Sequence, residues 1–174
     1  FNLYAVDAKS GEVLKWTPRN TLPVSFPNKP ESYLSGKPDL PAAAARDLRV
    51  DTHLWLLHAD TVTRVNFGTP LGQGDYSLDR PPDGEVRPSL DYRLLDGATI
   101  GQQDYLYVWD AANARIIAFG YADGSYVKQW QARTDGADAH LLDEVIGLEV
   151  VSTPDGPPAA YLLTPERVVR VVLE

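Results

Sequence analysis

Four stretches of the chain share one alternation of apolar and polar positions. Each has an apolar strand whose second residue is aromatic, then a short polar turn, then a second apolar strand. They read LYAVDAKSGEVLKW (Leu3 to Trp16), LWLLHADTVTRVNF (Leu54 to Phe67), LYVWDAANARIIAF (Leu106 to Phe119) and AYLLTPERVVRVVL (Ala160 to Leu173). Two apolar runs flanking a few turn residues predict a β-hairpin. In the first turn Asp7 caps with its carboxylate and Gly11 takes the positive-φ position. In the third, Asp110 caps and Asn113 tolerates a similar backbone.

The aromatic second residues, Tyr4, Trp55, Tyr107 and Tyr161, follow one another at intervals of 51, 52 and 54 residues. A repeat of this length suits one four-stranded blade of a β-propeller, with each hairpin as the two central strands. Outer strands are expected around Tyr33, Tyr76 and Tyr126, and inner strands at Asp47 to Val50, Tyr92 to Leu95 and Val145 to Val151. The predicted fold is therefore all-β, a β-propeller of four-stranded blades near residues 2–33, 47–76, 92–130 and 145–174. About three and a half blades are expected, because the chain enters at a second strand and leaves after a third. That phase fits the C-terminal part of a six- or seven-bladed ring lacking upstream residues, with a closed four-bladed ring as the alternative. The four aromatics are expected to pack between blades, since repeat symmetry does not converge them on one point.

Composition narrows the function classes. Sixteen Lys and Arg against 24 Asp and Glu give a net charge of −8, which repels nucleic acid and anionic lipid. The absence of cysteine removes disulfides, thiolate nucleophiles and Cys-ligated metals. No apolar stretch has the length of a membrane span, so direct membrane insertion is not expected. Fourteen prolines and 13 glycines agree with a turn-rich β protein.

Catalytic constellations do not emerge. His53 and His58 flank the strand LWLL on opposite faces, a geometry that does not chelate one ion. His140 lies near Asp135, Asp138 and Asp143, but without the alternating ligands of a calcium loop. No serine sits in a nucleophile elbow. The glycines of GTPLGQG (Gly68, Gly72, Gly74) precede no helix that would complete a phosphate cradle. The candidate binding face is the one carrying the long connections near residues 34–46, 77–91 and 131–143. Its polar candidates are Asp79, Arg80, Asp83, Arg87, Asp135, Asp138 and His140.

The third unit resembles the NHL repeat, with Asp110, Asn113, Arg115, Ile116 and Phe119 at the repeat's positions. The first is similar to a quinoprotein-type repeat through Ala5, Asp7, Ser10, Gly11 and Trp16, the last one residue late. The resemblance covers the hairpins, about a third of the chain, and implies a propeller rather than a chemistry. Such repeats occur in bacterial extracytoplasmic proteins and in sensor regions, so the resemblance points to an extracytoplasmic or membrane-associated setting. The expected role is a non-catalytic module for protein–protein interaction, assembly or ligand sensing within a larger protein or complex. A protein partner, no cofactor, no metal and no nucleic acid are expected, and a small-molecule ligand is compatible. The alternative is a propeller enzyme of the lactone hydrolase or quinoprotein dehydrogenase type, its site completed by further blades.

Overall fold

The computed structural model describes residues 1–33, 44–66, 69–70, 76–83, 89–131, 142, 144–153 and 156–174. Four antiparallel sheets follow one another along the chain. The first contains β1 (Leu3–Asp7), β2 (Glu12–Trp16) and β3 (Glu31–Ser32). The second contains β4 (Asp47–Val50), β5 (Leu54–Leu57), β6 (Val62–Asn66) and β7 (Thr69–Pro70). The third contains β8 (Tyr92–Ile100), β9 (Gln103–Asp110), β10 (Arg115–Gly120) and β11 (Tyr126–Gln131). The fourth contains β12 (Gly147–Thr153), β13 (Gly156–Leu163) and β14 (Val168–Val172). Within each sheet, neighbours in space are neighbours in sequence. The leading strands β4, β8 and β12 lie side by side, and β1 lies next to β4. Meandering sheets radiating from adjacent inner strands make this a β-propeller.

Period-2 geometry explains the continuous apolar runs LWLL in β5 and LYVW in β9. All four residues of β5 are buried. Leu54 and Leu56 meet Val13 of the first sheet, while Trp55 and Leu57 meet Tyr92, Leu95 and Leu106 of the third. The same division recurs one blade later. Leu106 and Val108 of β9 face the second sheet, and Tyr107 and Trp109 face Val150, Ala160 and Leu162 of the fourth. A strand covered on both faces needs no polar alternation. Each fully buried large apolar side chain adds about 1.5–3 kcal/mol.

The repeat aromatics follow this scheme unequally. Trp55 and Tyr107 are buried between sheets at 0% and 2% exposure, whereas Tyr161 is 36% exposed. Tyr4 is half-buried and packs edge-on against Tyr33, with ring centroids 5.3 Å apart.

Several local expectations need correction. The fourth strand described in the second sheet is Thr69–Pro70, paired with Val65 and Asn66, and not a segment around Tyr76. Proline lacks the N–H needed to extend a ladder, which suits so short an edge strand. Tyr76 instead packs edge-on against Trp55 at 5.1 Å. In the third hairpin the left-handed residue is Ala114 (φ 46°), not Asn113. Asn113 lies in a 3₁₀ turn, and its amide donates to Asp110 Oδ2 (2.7 Å) and Ser89 O (3.0 Å). The inner strand of that blade also runs well beyond Leu95, to Ile100.

Candidate functional site

The inner strands carry charges that the hairpin repeat did not reveal. Cross-strand pairing sets Arg49 opposite Trp55, Asp96 opposite Tyr107 and Glu149 opposite Tyr161. One layer of three consecutive inner strands is thus charged. Arg49 Nη1 donates to Asp96 Oδ1, and the other oxygen of Asp96 accepts the Val150 N–H at 2.6 Å. Asp96 therefore links the inner strands of three blades. Asp47 acts similarly, accepting Leu95 N–H on the next blade and its neighbour Leu48 N–H, both at 2.8 Å. Burial raises the pKa of Asp47, and repulsion from Asp96 adds to that, while the two N–H donors oppose it.

Gly97 allows Arg49 to reach across β8. A Cβ built there would lie 2.8 Å from Arg49 Nε. Beside this crossing, between the second and third blades, opens a cleft of about 200 Å³. Its lining includes Arg49, Thr52, Gly97, Thr99, Asp104 and Tyr121. Asp51 braces one wall. Its Oδ1 accepts Tyr121 Oη–H (2.7 Å), His53 N–H (2.9 Å) and Trp55 Nε1–H (3.2 Å), and its Oδ2 lies 3.4 Å from Arg49 Nε. Burial works to raise the Asp51 pKa, but these donors and the Arg49 charge hold it below the usual carboxylate value. On the other wall Thr99 Oγ1 donates to Asp104, whose carbonyl accepts the Tyr121 N–H at 3.2 Å.

The cleft lies where the inner strands end, at the Asp51–His53 turn and at Gly97–Ile100. The long connections enter the inner strands at their opposite ends. The binding-face candidates divide accordingly. Asp79 is exposed, but Oδ2 accepts the Tyr126 N–H (3.1 Å) and its own N–H donates to Gly124 O (2.9 Å). Asp83 forms an ion pair with Arg115, and both side chains are only 4% exposed. Arg80 is exposed. Arg87, Asp135, Asp138 and His140 lie outside the described residues, as do Gly68, Gly72 and Gly74.

Asp110 and Arg115, two of the residues that carry the NHL resemblance, form a buried polar knot. Arg115 Nε donates to Asp110 Oδ2 (2.9 Å), and Nη1 reaches Asp83 and Gln129 Oε1 (2.8 Å). Asp110 Oδ1 accepts the Asp91 N–H at 3.0 Å. Burial alone would lower the Arg115 pKa, but the two carboxylates raise it. The knot fastens the segment preceding β8 to the β9–β10 hairpin.

The histidines stand apart. His58 Nε2 lies 3.1 Å from Thr63 Oγ1, and burial lowers its pKa. His53 stacks on Trp55 with centroids 5.6 Å apart. Among the described residues no group of three or more His, Asp or Glu is placed to hold a metal ion.

No protein-family model matches this sequence, and no curated protein matches it. The fold is similar to that of BBS1N, solved in complex with ARL6DN (TM-score 0.56, 11% identity), over 98% of this chain and 52% of that chain. It is also similar to glutaminyl cyclase of Myxococcus xanthus (TM-score 0.51, 13% identity), over 99% of this chain and 70% of that one. The chain thus spans about half the length of BBS1N, and at these identities the likeness is one of fold.

Proposed function

We propose that this chain is a non-catalytic propeller module for protein–protein interaction and assembly, and that the open face of its fourth sheet is the contact surface. Tyr161 carries the reading. Trp55 and Tyr107, at the same repeat position, are each covered by the following sheet, whereas Tyr161 is 36% exposed. Leu163 (44%), Val168 (62%) and Val172 (39%) lie on the same face, with Arg170 paired to Tyr161 in its middle. An apolar row on one side of a sheet is a surface prepared for burial. The repeat calls for a partner presenting the apolar face of another β-sheet. BBS1N, which shares the fold, was solved in a protein complex, but an enzyme shares the fold too. The exposed row therefore supports the interaction reading, on which the fold alone is silent.

The test is a Leu163→Asp, Val168→Asp double substitution in the full-length protein, followed by sedimentation and thermal melting. Loss of the native assembly with little change in melting is the expected result, whereas collapse of the protein's own fold would show that the face is covered from within the same protein. An unchanged sedimentation profile sinks the reading.

A further inference from the structure

The cleft between the second and third blades goes beyond an assembly role. We propose that it binds a small polyhydroxylated molecule, the size of a single sugar ring, through Arg49 and Asp104.

Three observations carry this. Size comes first: about 200 Å³ lies below the roughly 300–1,000 Å³ of sites for drug-sized ligands, which suits one ring. Charge comes next. Asp96 is committed to Arg49 and Val150, and Asp51 to Tyr121, Trp55 and His53. At the rim Asp104 accepts from Thr99 through Oδ1 and keeps Oδ2 for a ligand, while Arg49, with Nη1 on Asp96 and Nε beside Asp51, keeps Nη2. An anion meets carboxylates on both walls, and a bare cation meets Arg49. A hydroxyl can accept from the guanidinium and donate to the carboxylate, so neighbouring hydroxyls satisfy both at once. The third observation is pre-organisation. Arg49 lies across Gly97, where a Cβ would come within 2.8 Å of Nε. Tyr121 is held by Asp51 at 2.7 Å and by Thr52 at 3.1 Å. A rigid donor edge beside an aromatic wall spends little ordering entropy on binding.

Saturation-transfer NMR on the whole protein, with methyl α-glucoside, α-galactoside and α-mannoside as probes and butylammonium as the cationic control, tests the proposal. Saturable binding of at least one glycoside is expected. Asp104→Ala should weaken it about tenfold or more, the loss that follows one charge-assisted hydrogen bond. Gly97→Ala, which displaces Arg49, should weaken it independently, with circular dichroism confirming that each variant is folded. The proposal is overturned if no glycoside binds, if butylammonium binds in their place, or if glycoside affinity survives in a folded Asp104→Ala protein. Because Leu163 and Val168 are not used, this result is independent of the assembly surface.

Discussion

Arg115 grips Asp83, 32 residues earlier in the chain, in an ion pair whose two side chains are each only 4% exposed. The pair joins the segment before β8 to the first residue of β10, and Asp110 completes it from the end of β9. Arg115→Met leaves both Asp83 and Asp110 buried without their cation and should cost about 3 kcal/mol or more, whereas Asp83→Ala, which leaves Arg115 still paired with Asp110, should cost less. Urea denaturation of the three proteins measures the difference. An Arg115→Met variant as stable as the parent would show that the pair contributes nothing.

Asp96 is the corresponding joint near the inner strands. Asp96→Ala leaves the Val150 N–H without its acceptor and Arg49 without its closest carboxylate, a loss of about 3 kcal/mol. Asp96→Asn keeps an acceptor for Val150 and should fall between. Amide exchange at Val150 offers a local readout, since faster exchange in Asp96→Ala and near-native exchange in Asp96→Asn would separate the two contributions.

Asp47 makes a pH-dependent contribution of the less usual sign. Its pKa is raised in the folded protein, with burial as the main cause. Folding thus favours the protonated acid, and its stabilisation is present below the ordinary value of 3.8 and is lost as pH rises through the elevated folded pKa. Asp51 has the opposite sign, because its lowered pKa stabilises above 3.8 and that benefit disappears as pH falls through the folded pKa. Stability–pH profiles of Asp47→Asn and Asp51→Asn should depart from the parent in opposite directions across this acidic range. Parallel profiles would contradict the assignment.

Gly124 admits no side chain. Its φ is +75°, and a Cβ would sit 2.1 Å from the Ser77 carbonyl oxygen. Gly124→Ala should cost more than about 2 kcal/mol, combining backbone strain with displacement of the Ser77–Asp79 segment. A thermal melt within a degree or two of the parent would show that this segment shifts freely.

The hairpins and their order were legible in the sequence because each is local. A turn of a few residues between two apolar runs can be read without knowing what covers them, and the period of just over fifty residues then implies blades. The buried second strands were legible for the same reason, since LWLL and LYVW carry no polar alternation. The inner-strand register was not. Arg49, Asp96 and Glu149 precede their paired aromatics by six, eleven and twelve residues. The first and second strands are joined differently in each blade, so no fixed spacing marks the charged layer. Loop residues were misleading in another way. Asp83 reads as a solvated acid in a Pro- and Gly-rich segment, and only the arrival of Arg115 from the next hairpin makes it a buried ion partner.

The sequence by itself thus determined the unit of construction: apolar periodicity and turn chemistry act over fewer than twenty residues and specify a hairpin wherever they occur. The tertiary structure decided which faces meet. It covered Trp55 and Tyr107, left Tyr161 open, and brought Arg49 across Gly97 to Asp96. Those outcomes depend on contacts between blades some fifty residues apart, where the packing of one sheet against the next, rather than any local propensity, sets the neighbour of each side chain.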